Sequence, residues 1–193
     1  MFVPGATQTY ITSDGGVSYT NLILATQPDP AVAGVQAQSS PNYAVFLQTG
    51  GSTTSAATTG LCFQPKQIFF GCEIMSAENT AAVQVPCKFT MTGFNNVLDK
   101  YVGSQTFRFS PQGATGPLAP ASIDAKLLGP SSTVRFKSEL DLDALGLDAI
   151  TQILTTLNIG SLTDALLVTL FDDFKYTQYG LGDYANCGSS YRG

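Results

Sequence analysis

The chain has no histidine and no tryptophan. Without imidazole there is no Ser-His-Asp or Cys-His relay, so any catalysis would have to run on carboxylate, Tyr or Lys groups. Without indole, the rings open to stacking against a ligand are those of tyrosine and phenylalanine. Charge is also scarce: Asp, Glu, Lys and Arg make up 12% of the sequence, about half the usual share for a soluble globular domain. The nine Lys and Arg are spread from Lys66 to Arg192 in a chain of net charge −5, and no basic run marks a nucleic acid or an anionic membrane as partner. No apolar run approaches the roughly 20 residues that cross a bilayer. Met1-Phe2-Val3-Pro4 has neither the basic nor the apolar region of a signal peptide; the expectation is a mature chain with an added initiator methionine. There is no Asn-x-Ser/Thr sequon, no CxxC and no tight acidic cluster, so neither cofactor nor metal is expected.

What the chain does have is four cysteines. Cys72 shares a period-2 apolar face with Ile68, Phe70 and Ile74, and Cys87 shares one with Val83, Val85, Phe89 and Met91. The segment Ser76–Ala82 between these runs is short enough to make them antiparallel neighbours, which sets Cys72 against Cys87 as a disulfide across adjacent strands. Cys62 and Cys187 remain as the second pair. Two bridges and an uncharged surface point to a secreted, extracellular protein.

The rest reads as punctuated strands. Thr7–Ile11 and Val17–Leu24 flank the turn Ser13-Asp14-Gly15-Gly16, Gln27–Pro41 is a proline-broken loop, and Tyr43–Gln48 is a short strand. Gly50–Gly60 is a low-complexity polar loop. Gln67–Met75 and Val83–Thr92 follow, then a turn at Gly93–Asn96, the strand Tyr101–Ser110, a Gly/Pro loop at Pro111–Pro120, and the strand Thr133–Leu140. Leu147, Ile150, Ile153, Leu154 and Leu157 have helical spacing, but Gly146, Thr151, Thr155 and Thr156 weigh toward a strand at Ala149–Leu154 after a turn at Asp143–Leu147. Ala165–Thr177 is the last strand. The spacing predicts one all-β domain over 1–177, a two-sheet antiparallel jelly-roll sandwich stabilised by disulfides, with 178–193 as an extended Gly/Tyr-rich tail laid on it. Its core is expected to hold Phe70, Ile74, Phe89, Phe107, Phe109, Val134, Phe136, Leu166, Val168 and Leu170.

Several short motifs occur in a set order: Tyr19-Thr20-Asn21-Leu22, Ser40-Pro41-Asn42-Tyr43-Ala44, Ile68-Phe69-Phe70-Gly71-Cys72, Val85–Phe94, Gly146–Ile150 and Leu170–Thr177. In that order they resemble fungal secreted galactose-binding-like jelly-roll domains, most of them without assigned activity. The resemblance runs from Tyr19 to Thr177 and implies the sandwich architecture of many carbohydrate-binding modules. Many such domains hold a structural calcium between an acidic pair near the first strand and an acid on the last. Asp172 and Asp173 supply the last-strand acids here, whereas Met1–Tyr10 contains none.

Asp172 is the weak metal candidate, since strand parity with Leu166, Val168, Leu170, Phe174 and Tyr176 turns it inward, where a carboxylate needs a partner. The expectation is that backbone N–H groups or water hold it at the end of its strand, without calcium. Asp141–Gly146 imitates an EF-hand opening, but Leu145, Ala149 and Gln152 occupy ligand positions, so a turn is expected. Gly180-Leu181-Gly182 opens no helix and is not a phosphate loop. The weak ligand-binding candidates are Tyr19, Asn42, Tyr43 and Tyr101, with no catalytic residue. The expected function is a non-enzymatic extracellular domain that binds carbohydrate or cell-wall glycan. The alternative is a self-associating structural surface protein, a homo-oligomer built through the N-terminal strand Phe2–Ile11 or the C-terminal tail. A carboxylate-dependent glycoside hydrolase ranks last.

Overall fold

The computed structural model of the chain describes the backbone of residues 9–11, 17–20, 23–26, 35–36, 42–48, 54–58, 62–76, 82–95, 100–112, 116–162, 165–180 and 187. Its side chains are described within 62–75, 82–95, 100–112, 116–162 and 166–180 and at 187. Strands β1 (Thr9–Ile11), β2 (Val17–Thr20), β6 (Thr54–Thr58), β13 (Thr133–Leu140), β9 (Cys87–Asn95) and β10 (Lys100–Phe109) make one antiparallel sheet in that spatial order. The second sheet runs β12 (Ala119–Ser122), β7 (Cys62–Ser76), β14 (Ala165–Tyr179), β5 (Asn42–Gln48), β3 (Ile23–Thr26), and β8 (Ala82–Gln84) pairs with the far part of β7. Two short strands, β4 (Val35–Gln36) and β11 (Gly116–Pro117), pair in parallel, and one helix, α1 (Leu147–Leu157), follows β13. The architecture is the predicted two-sheet antiparallel jelly-roll sandwich.

Alternation places the first sheet. In β9 the residues Cys87, Phe89, Met91, Gly93 and Asn95 are buried while Lys88, Thr90, Thr92 and Phe94 are half-buried, and β13 buries Val134, Phe136 and Ser138. Between the sheets runs a chain of rings. Phe70 stacks on Phe89 with centroids 4.9 Å apart, Phe89 on Phe136 at 5.8 Å, and Phe136 meets Phe171 at 5.6 Å and Phe174 at 6.1 Å. Phe70, Phe89 and Phe136 are fully withdrawn from water, whereas Phe107 is only half-buried at the margin.

Four expectations need correction. Val83–Thr92 is not one strand. Pro86 has no N–H to give a ladder, and at Val85-Pro86 the chain leaves β8 in the second sheet and enters β9 in the first. Cys72 and Cys87 are bonded, with Cα atoms 6.1 Å apart, but the bridge joins the two sheets across the core rather than neighbouring strands within one. Cys62 and Cys187 form the second bridge.

The parity of β14 is the second. Thr169 faces the sandwich interior, where its hydroxyl donates to Ser138 Oγ at 2.7 Å and lies 3.8 Å from Cys72 Sγ. Phe171 faces the same way, onto Phe136. The expected core residues Leu166, Val168 and Leu170 therefore lie on the opposite face of the second sheet, directly across from Met75, Glu73 and Gly71. Val168 and Leu170 are buried there and Leu166 is half-buried.

The third correction is α1, where a strand was expected. Thr151, Thr155 and Thr156 donate their hydroxyls to the carbonyls of Leu147, Thr151 and Gln152, four residues back, so each hydroxyl is satisfied within the helix, and burial of Ile153 and Leu157 overrides the weak helix propensity of threonine. Asn158 ends the helix in the left-handed region at φ 52. Ile153 and Leu157 are buried against the core. Finally, five expected boundaries shift. Val17–Leu24 divides into β2 and β3 in different sheets, Gln27–Pro41 contains β4, Gly50–Gly60 contains β6, Gly93–Asn95 continues β9, and Pro111–Pro120 contains β11 and the start of β12.

Two glycines let the loop 123–132 close over one end of the sandwich. A Cβ at Gly93 would run into Ser131 Oγ, and one at Gly103 into the Leu127 carbonyl. We expect Phe136→Ala to cost ~3–5 kcal/mol by urea denaturation and Phe107→Ala distinctly less. Gly103→Ala should also destabilise, because its obstacle is backbone that cannot swing aside; an unchanged midpoint would show that the loop is free to lift.

Candidate functional site

The outward side of β13, β9 and β10 forms a ruled surface, because directly opposed residues share a face. Its first row is Thr133, Phe94 and Tyr101; the next are Arg135, Thr92 and Ser104, then Lys137, Thr90 and Thr106, and then Glu139, Lys88 and Arg108. None of these twelve side chains is buried. Strand and row spacings make the patch roughly 20 Å long and roughly 10 Å wide.

Tyr101 reaches this face through an irregularity. By simple alternation it would share the inward parity of Phe107 and Phe109. The register shifts between Tyr101 and Gly103, so Val102 is an extra residue and Tyr101 comes to lie opposite Phe94. The Tyr101 ring meets Phe94 edge-on at 6.5 Å and is 60% exposed. The Arg135 guanidinium carbon lies 4.1 Å from the centre of the Phe94 ring, a cation–π contact.

Hydroxyls fill the middle of the patch. Thr90 and Thr106 are hydrogen-bonded at 2.9 Å, and Thr92 and Ser104 at 3.3 Å. At the far end Asp141, itself buried, takes Lys88 at 3.2 Å and Arg108 at 3.0 Å, and Asp143 lies 3.4 Å from Lys88. Bonding to Asp141, and then to Asp143, pushes the Lys88 ammonium above its ordinary pKa. Lys137 pairs with Glu139. Asp141 is thereby committed to two cations.

The candidates named from sequence are not gathered in one place. Tyr101 is on this face. Tyr19 stands on β2 of the same sheet, in the register row of Ala56, Val134 and Gly93. Asn42 and Tyr43 belong to β5 of the other sheet; the side chains of these three lie outside the described residues. Asp172 accepts the Asp173 N–H at 2.8 Å, as expected. It does so at a bulge in mid-strand and not at the strand end: the β14–β7 register shifts after Asp172, and Asp173 has φ 47. Among the described residues no group of three His, Cys, Asp or Glu stands close enough to hold a metal ion.

Phe94, Arg135 and Glu73 are not candidates in the sequence, and Asp141 reads there only as part of a turn. Arg135 was visible as a polar residue between Val134 and Phe136. Phe94 was hidden by Gly93-Phe94-Asn95-Asn96, which reads as a turn. Glu73 lies on the outer side of β7, opposite Gln84 on β8 and Val168 on β14. It is 1% exposed, and its Oε1 has no hydrogen-bond partner among the described residues. Desolvation pushes its pKa up from 4.5 to about 7. The hint in the sequence was that Ile68–Met75 is apolar at both parities, the pattern of a strand covered on both faces.

No family model and no curated protein matches the chain. Among solved structures, the crystal structure of a DUF4465 family protein from Bacteroides caccae is similar in fold, with TM-score 0.51, 10% identity, and coverage of 90% of this chain and 92% of that one.

Glu73 gives the stability of the fold a pH dependence of definite sign. The folded state holds the Glu73 proton more tightly than the unfolded chain does. Its stabilisation is complete below about pH 4.5 and is lost as pH rises through about 7, an effect on the order of 3 kcal/mol. Urea denaturation of Glu73→Gln should lack the fall in stability that the native chain shows between those values. Parallel profiles for the two proteins would place the ionised carboxylate in water.

Proposed function

We propose that this is an extracellular, non-enzymatic domain that binds glycan on the outward face of β13, β9 and β10. The observation that carries the reading is Tyr101, turned outward by the Val102 bulge and set beside Phe94 at the head of a hydroxyl-lined sheet face whose side chains are exposed or half-buried. A sugar chain needs an exposed ring face for its C–H surface and hydroxyl partners spaced along its length, and this patch offers both. Two disulfides accord with folding in an oxidising compartment. The order of motifs that resembles fungal secreted jelly rolls supports the same reading.

The competing proposal is self-association. It draws on β1, which ends the first sheet and offers an edge to a second chain. Among the described residues three of β1 pair with β2, which gives a short ladder for an intermolecular strand.

Binding to immobilised fungal and plant polysaccharides, read by pull-down and then by calorimetry, tests the glycan reading. Tyr101→Ala should weaken binding about tenfold or more with an unchanged melting temperature, since the ring is exposed. Silence across the whole panel, together with a size that grows with concentration in light scattering, would favour self-association instead.

A further inference from the structure

The charged groups on the outward face of β13, β9 and β10 answer one another. Lys88 and Arg108 share the Asp141 carboxylate, Asp143 stands beside Lys88, and Lys137 pairs with Glu139. Arg135 lies against the Phe94 ring and makes a further interaction of its own. Between these groups runs a track of hydroxyls along the seam of β9 and β10, Thr92 with Ser104 and then Thr90 with Thr106. Its hydrogen bonds have a direction. A hydroxyl has one hydrogen to give and two lone pairs to offer. Ser104 gives its hydrogen to the Met91 carbonyl at 3.1 Å, so its oxygen accepts from Thr92, 3.3 Å away. Thr92 then has no hydrogen left, and toward a ligand its oxygen only accepts. The Thr90–Thr106 pair spends one of its two hydrogens between the partners at 2.9 Å, which leaves it richer in lone pairs than in donors. We propose that the ligand of this face is a neutral polysaccharide, whose hydroxyls donate to Thr92 and to the Thr90–Thr106 pair while one of its rings packs on Tyr101.

A track short of donors suits a ligand that brings its own. Every free hydroxyl of an uncharged sugar chain carries a hydrogen that Thr92 Oγ can accept. A uronate or phosphodiester chain brings anionic oxygens, which accept and do not donate, and along the seam these would face the lone pairs of Thr92. To reach a counter-charge they would have to draw Lys137 from Glu139, or Lys88 and Arg108 from Asp141. Asp141 is 1% exposed, and a buried carboxylate stripped of its cations is costly. The layout also suits a linear chain. Successive rows on one face of a strand stand roughly 7 Å apart. They lead from Phe94 and Tyr101 through both hydroxyl pairs to the Lys88–Asp141–Arg108 cluster. A sugar chain along the strands thus meets a ring first and hydroxyl oxygens after it.

This inference rests on the glycan reading, and the experiment separates the two. Binding of the full chain to neutral β-glucan and mannan is compared by calorimetry with binding to polygalacturonate, at low and high salt. Whichever neutral polymer binds is then tested in O-methylated form, which keeps its oxygen acceptors and loses its hydroxyl donors. The comparison is repeated for Thr92→Val and Thr92→Ser. The expected result is a preference for a neutral polymer, with an affinity that salt leaves unchanged and that O-methylation abolishes. Thr92→Val keeps the shape and removes the acceptor, and should lose about two- to tenfold in affinity; Thr92→Ser should keep most of it. The methylated polymer leaves the protein untouched, so it tests the same hydrogen bonds even if Thr92→Val melts early. A preference for polygalacturonate that fades with salt would overturn this inference and leave the glycan reading standing. Undiminished binding of the methylated polymer, or native affinity in a folded Thr92→Val, would overturn it in the same way. Absence of binding to every polymer would remove the glycan reading itself, and this inference with it.

Discussion

Phe70, Phe89 and Phe136 stack in sequence between the two sheets, and most of what is distinctive in the molecule is arranged around that column. Each ring comes from a different strand, β7, β9 and β13, so the stack locks three registers at once. A slip of one residue in any of them would turn a fully buried ring to the outside. The Cys72–Cys87 bridge crosses the same space one step away on two of those strands. Sheet separation, strand register and the chain crossing at Pro86 are therefore mutually constrained. The outward rows of β13, β9 and β10 inherit their alignment from the inward rows behind them. Arg135 lies across from Thr92 because Phe136 must lie across from Met91.

The first sheet was legible in the sequence because it obeys a two-sided rule, with apolar residues inward and polar ones outward. Phe89, Phe109, Val134 and Phe136 could be assigned from parity alone. The second sheet is covered on both faces along part of its length, so parity loses its meaning there. Val168 and Leu170 are as buried as Phe171, and the alternation that should have told them apart does not exist. The helix was misread for a related reason. Its threonines carry strand propensity, and the packing of Ile153 and Leu157 on the core overrides it.

The candidate site was legible in part. Tyr101 is an evident aromatic on a strand, but its direction depends on the Val102 bulge, and a bulge leaves no mark in a period-2 reading. Arg135, Lys88 and Arg108 looked like isolated charges because their proximity is made by strand order, β13-β9-β10, which reverses and interleaves distant segments. Asp141 follows the same logic. In sequence it belongs to a loose acidic turn with Asp143, whereas in the fold it is a buried anchor for side chains contributed by β9 and β10.

The Cys62–Cys187 bridge spans 125 positions and attaches the C-terminal segment at the first residue of β7, beside Tyr179 at the end of β14. Tension applied to the chain beyond Cys187 would not peel β14 away from its end. It would pass through the sulfur atoms into the start of β7, the strand flanked by β12 and β14. Load on that strand is resisted by ladders on both of its sides together, and shearing them demands that many hydrogen bonds break at once. The bridge thus places a pull on Cys187 onto the two ladders that flank β7.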